Sequence, residues 1–218
     1  MKLFCLSFLC LVMMTSCSRM DPKEKKVRAT FKLFKNAVAK QLDKRFLELI
    51  DDETKGYFKR VKEAAASADR PTLEKHFKDT AYPQIDQLYI FSTRTLFRGQ
   101  NIKELSFEDF MKQLLRHGLF REISKVEIVE VNLKQNEIAM ADIVTKLNPK
   151  YSLGGRLLFI KDGDEWKIDM TSRHRQENNR IKAFCRYKSV DVDSMDCLNE
   201  FNKESGGFEI DESVIWDK

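Results

Sequence analysis

The chain has 218 residues, 42% hydrophobic and 33% charged, with only 4 Pro and 8 Gly. That balance suits one domain of ordinary size with appendages and excludes collagen-like, low-complexity and wholly disordered chains. A formal charge of +5 over this length is too small to argue for a nucleic-acid partner.

The charge is missing from one place. After Met1-Lys2, residues Leu3 to Met14 form an uncharged apolar run, and Thr15-Ser16-Cys17 supplies small residues ending at a cysteine. A membrane-spanning helix needs about 20 apolar residues, so the run is too short to be a stable anchor. Its order of charge, apolar core and small residues is that of a secretory signal. Met14-Thr15-Ser16-Cys17 also resembles the lipobox of bacterial lipoproteins, with Met14 standing where Leu is usual. The resemblance implies a signal peptide over 1–16 and Cys17 as the acylated mature N-terminus. It places the domain outside the cytoplasm, on the cell membrane or outer membrane. Ser18 resembles the residue type that permits sorting to the outer membrane. The alternative is an ordinary secretory signal cut near Ser16.

Cysteine use agrees with export. Cys5 and Cys10 would leave with the signal, which leaves Cys185 and Cys197 as an even pair in an oxidising compartment. A disulfide between them would contribute roughly 3 kcal/mol through chain entropy; two free thiols are the alternative. His76, His117 and His174 lie far apart and no Cys/His cluster exists in the sequence, so neither a metal nor another cofactor is expected.

Charge divides the mature chain into blocks. Residues 18–50 hold ten Lys/Arg against four Asp/Glu, residues 171–188 six against one, and residues 189–218 two against nine. A tether over 17–26 is expected, in which Lys23, Lys25 and Lys26, with Arg28 just beyond, would touch anionic head groups. Each such residue could add about 1 kcal/mol of attraction. Arg173 and Arg175 in the second basic block are candidates for contact with a partner surface. Solvated faces are the simpler explanation of both blocks. An acidic tail folded back on a basic face is a third.

Periodicity predicts a long amphipathic helix from Lys26 to Ile50, with Val27, Phe31, Phe34, Val38, Leu42, Phe46 and Leu49 on one face. A short helix is expected near Lys55–Ser67, and a further turn near Pro71, flanked by Asp69 and Thr72. Gln87 to Phe97 reads as a strand. Ser106 then opens a second clear helix, with Phe107, Phe110, Met111, Leu114 and Leu115 on its buried face. Gly118 is its left-handed stop. His117 in its last turn is explained as a complement to the helix dipole. Beyond it the period changes to two. Lys125–Leu133, Glu137–Leu147, Arg156–Lys161 and Glu165–Met170 read as strands of an antiparallel meander with helices on one face, an α+β fold.

The closing stretch Leu157-Leu158-Phe159-Ile160-Lys161-Asp162-Gly163-Asp164-Glu165-Trp166-Lys167-Ile168-Asp169 resembles the final hairpin of the nuclear transport factor two-like (SnoaL-like, cystatin-related) fold. The order of long helix, strand, helix and meander is similar too, over about residues 27–170, with 171–218 as a C-terminal extension. The resemblance implies a cone-shaped curved sheet enclosing a pocket. Members include isomerases, cyclases, binding scaffolds and exported lipoproteins, so the fold does not give the function.

An enzyme of this shape would need an inward acid or base, and Asp142 is the weak catalytic candidate. Tyr57, Tyr89 and His76 are candidates to line the same pocket. No nucleophile or acid/base constellation stands out. Asp191-Val192-Asp193-Ser194-Met195-Asp196 lacks the glycine and distal Glu of a calcium loop. The expected function is therefore non-catalytic binding by an exported, lipid-anchored envelope protein, its partner an envelope protein or a small apolar ligand. The alternatives are a small-molecule isomerase or hydrolase using Asp142, and a structural component docking through residues 171–218.

Overall fold

The computed structural model describes residues 20–135, 137–145, 155–204 and 209–216. The expected signal peptide and Cys17 lie outside them. Helix α1 spans Pro22–Ala39 and begins inside the expected tether. The Asp21 carboxylate caps it by accepting the Lys23 N–H at 2.7 Å, and Pro22 takes the first turn, where its missing N–H costs nothing. Val27, Phe31, Phe34, Ala37 and Val38 are its buried face.

The expected single helix to Ile50 is two. Gln41 adopts a left-handed φ of 56°, and the Leu42 N–H turns back to the Ala37 carbonyl at 2.8 Å. This is a Schellman stop with Gln where Gly is usual. The chain then re-enters helix as α2 (Asp43–Leu49). The reversal lets Phe46 fold back on Phe34, with ring centroids 5.3 Å apart, while its other side meets Phe120 at 5.1 Å.

Helix α3 (Asp52–Ser67) is capped by Asp51, and α4 (Arg70–Asp79) by Asp69, whose carboxylate is held below its ordinary range by hydrogen bonds from Thr72. Helix α5 (Pro83–Leu96) replaces the strand expected at 87–97. Its β-branched and aromatic residues carry strand propensity, but the helix is buried on nearly every side, and packing overrides propensity there. A 3-10 turn (Ile102–Glu104) leads to α6 (Phe107–Arg116), capped by Ser106 and stopped at Gly118 (φ 80°), then to α7 (Arg121–Ser124).

Four strands follow: β1 (Val126–Gln135), β2 (Ile138–Thr145), β3 (Gly155–Asp162) and β4 (Glu165–Asp169). They form an open antiparallel meander in sequence order, so the fold is α+β. One face of the sheet is core. Ala139 and Ala141 of β2 lie opposite Phe159 and Leu157 of β3, small against large, and Phe31 of α1 meets Phe159 edge-on at 6.4 Å. Between sheet and helices, where the resemblance implies a conical pocket, these side chains and Phe34, Phe46, Phe58 and Phe120 are buried together among the described residues.

Beyond β4 a 3-10 turn (Thr171–Arg173) leads into α8 (His174–Tyr187), followed by α9 (Met195–Glu204) and α10 (Glu212–Ile215). Cys185 and Cys197 form a disulfide across α8 and α9, both fully buried, with Cα atoms 5.4 Å apart. Ile181, Leu198, Phe201, Ile210 and Ile215 belong to the same hydrophobic core as α1 and the sheet, so α8, α9 and α10 share that core. Arg94 fastens its end. Buried at 4% exposure, its guanidinium donates to the carbonyls of Ala64, Ala65 and Ala68 at the end of α3 and to that of Ile215. Burial pushes its pKa down, and the negative end of the α3 dipole offsets the missing carboxylate.

Candidate functional site

Two groups of polar side chains stand out, one inside the helical layer and one on the outer face of the sheet. The inner group centres on Asp86 of α5, which is 6% exposed. Its carboxylate accepts the Tyr57 hydroxyl at 2.8 Å and the Thr80 hydroxyl at 2.6 Å, and His76 Nε2 lies 3.3 Å away. Tyr57 also meets His174, the first residue of α8, with centroids 4.2 Å apart; Tyr82 and Tyr89 pack edge-on or tilted against the same imidazole.

Burial governs the chemistry of this group. Desolvation, then the Asp86 charge, raises the Tyr57 pKa well above the usual phenol value, and desolvation, then Glu177, raises Tyr89. Burial drives His174 down to about 4 against the opposing pull of Asp86 and Glu177, with Arg60 adding to the depression. His174 is therefore neutral near pH 7. Tyr57, Tyr89 and His76 do come together, around an Asp86 and a His174 that sequence patterns did not single out. Asp86 sits within a helix read as strand, and His174 follows a turn whose path depends on the sheet. The carboxylate at the centre accepts two hydroxyls from the protein itself, and the exposed His76 lies beside it.

The outer group lines an open groove of about 660 Å³ between β2, β3 and the start of α8. Asp142 lies here, on the sheet face opposite the buried Ala141 and Ile143, with its side chain 37% exposed. Arg156 is its direct cross-strand neighbour, and Arg156 Nε donates to Asp142 Oδ1 at 3.0 Å. The pair explains a charged residue in mid-strand without any role as an acid or base.

The other wall is the turn into α8. β4 ends at Asp169, so the upper half of β3 loses its strand neighbour. The Ser172 hydroxyl replaces it by accepting the Leu158 N–H at 3.3 Å, and Ser172 Oγ itself donates to the Asp169 carbonyl at 2.6 Å. Gln176 rests on Gly155, where a Cβ would stand 3.0 Å from Gln176 Oε1. Arg175 and Asn179, one helical turn apart and exposed, also line the groove, and neither has a hydrogen-bond or ion-pair partner among the described residues. Met140 and Leu158 supply its apolar floor.

The remaining candidates divide by accessibility. Lys23, Lys25 and Lys26 are exposed on the first turns of α1. Arg28 is committed to the fold: it pairs with Glu24 and donates to the carbonyls of Ile128 and Val129 at the β1 bulge. Arg173 is largely covered and pairs with Glu177. In the Asp191–Asp196 turn, Asp193 accepts from Gln84 and Ser194 caps α9. Among the described residues no group of three or more His, Cys, Asp or Glu could hold a metal ion, and no helix is long and apolar enough to cross a membrane.

Comparison of the chain with protein-family models, with curated proteins and with solved structures found no match.

Proposed function

We propose that this chain is an exported, lipid-anchored cell-envelope protein whose α+β domain binds a ligand or partner without catalysis. The observation that carries the binding reading is the contrast in partnering. The Asp86 carboxylate is buried and accepts the Tyr57 and Thr80 hydroxyls, with His76 beside it at the surface, whereas Arg175 and Asn179 face an open groove with no partner among the described residues. A general acid or base needs access to substrate, and the groove's own carboxylate, Asp142, is paired with Arg156.

Export is supported by the signal-like residues 1–16 and by the buried Cys185–Cys197 disulfide, a bond that persists in oxidising compartments. Anchoring through Cys17 is supported by its lipobox-like setting. Only Ser18 to Asp21 separate Cys17 from α1, and four residues reach about 14 Å at most. A lipid on Cys17 would hold Lys23, Lys25 and Lys26 within about two Debye lengths of the bilayer surface, close enough to feel anionic head groups. A relation to nuclear transport factor two-like domains is supported by the helix-then-meander order and the Gly163 hairpin, with helix α5 standing where that fold's strand was expected.

Mass spectrometry of the mature protein tests the anchor. The expected result is an N-terminus at Cys17 carrying acyl chains, with Cys17→Ser shifting the protein out of the membrane fraction. An unmodified Cys17, or a Cys17→Ser protein that stays membrane-bound, would overturn it.

A further inference from the structure

We infer that the groove between β3 and α8 recognises a carboxylate attached to an amide, such as the free C-terminal end of a short peptide. The inference deepens the binding reading above and is independent of the lipid anchor. Arg175 supplies the anchor for charge: a guanidinium with no partner among the described residues, whose planar fork matches a carboxylate in two parallel hydrogen bonds. Asn179, on the same face of α8 and likewise without a partner, offers both a carboxamide donor and an acceptor, which suits a peptide group. Met140 and Leu158 form an apolar floor for a small side chain.

The charge count selects among anions. Among the described lining residues, Arg156 and Arg175 set two positive charges against one on Asp142, leaving a net of about one positive charge. A monoanion balances that count, whereas a phosphate dianion exceeds it and leaves a negative charge uncompensated beside Asp142's own. A neutral glycan is disfavoured for another reason. None of the described lining residues is aromatic, so they present no flat apolar face to a sugar ring. The Asp142–Arg156 pair also holds the Arg156 side chain along the groove wall before any ligand arrives, which lowers the ordering cost of binding.

The test is calorimetric titration of the full mature chain with N-acetylalanylalanine, with its C-terminal amide, and with inorganic phosphate. The free acid should bind, and the amide should bind at least about tenfold more weakly, the usual cost of losing one charge-assisted contact. Arg175→Gln should weaken the acid by a similar factor with an unchanged melting temperature, because Arg175 is exposed. Equal affinity for acid and amide, tightest binding by phosphate, an undiminished Arg175→Gln protein, or no binding by either peptide would each overturn the inference. Release of free alanine during the titration would instead overturn the non-catalytic reading while leaving carboxylate recognition standing.

Discussion

The cluster at Asp86 and the groove at Arg175 use similar side chains to opposite ends. Around Asp86 the Tyr57 and Thr80 hydroxyls from two other segments meet one buried carboxylate, and tyrosine rings pack around the buried His174. Along the groove, Asn179 and Arg175 point polar groups at solvent from the rim of an apolar floor. A saturated buried network specifies how helices pack, and an unsaturated exposed one is available to something else. Titratable residues gathered in a protein interior are therefore a poor guide to a site until their partners are counted.

Substitutions should separate the two regions by stability. The largest effect is expected at Asp86→Ala, which leaves the buried Tyr57 hydroxyl without its acceptor and frees Thr80; a loss of about 4 kcal/mol in denaturant unfolding is expected. A loss under about 1 kcal/mol would mean the cluster is not the structural hub described.

Acidification should act next, through His174. Its folded pKa of about 4 lies below the ordinary 6.5, so the unfolded chain binds a proton that the folded chain refuses. Its contribution is complete above about pH 6.5 and is lost as pH falls toward 4, about 3 kcal/mol in all. His174→Gln should flatten the stability profile across that window. An equally steep profile in the variant would place the acid sensitivity elsewhere.

The groove should barely register on the same scale. Asp142→Asn breaks a half-exposed pair and should cost less than about 1 kcal/mol. Gly155→Ala is the mildest change. Its new methyl meets only the flexible end of Gln176, so stability should move by less than about 0.5 kcal/mol while the Gln176 side-chain amide resonances shift. Unmoved resonances would mean that Gln176 does not rest on Gly155.

What could be read from sequence follows from where each signal resides. The four strands, the Ser106 cap and the Gly118 stop depend on neighbours a few residues away, and they appear where their patterns indicate. The break after α1 did not announce itself, because Gln41 takes a left-handed turn that glycine usually marks. Helix α5 reads as a strand for a tertiary reason: a helix buried on nearly every side loses the polar face that makes periodicity visible.

The site was legible only in pieces. Asp142 and Arg175 stood out singly, as a mid-strand carboxylate and a member of a basic run. Their meeting with Arg156 and Asn179 depends on β4 ending at Asp169 and α8 crossing the exposed edge of β3, which no local pattern encodes. The same holds for Asp86 and His174, whose cluster joins four helices, α3, α4, α5 and the distant α8.

The most direct measurement is a backbone amide NMR titration of the mature chain with N-acetylalanylalanine. Shifts concentrated in residues 155–158 and 172–179, with Tyr57 and Asp86 unmoved, are the predicted result. Shifts centred on Tyr57, His76 and Asp86, with the groove silent, would contradict it.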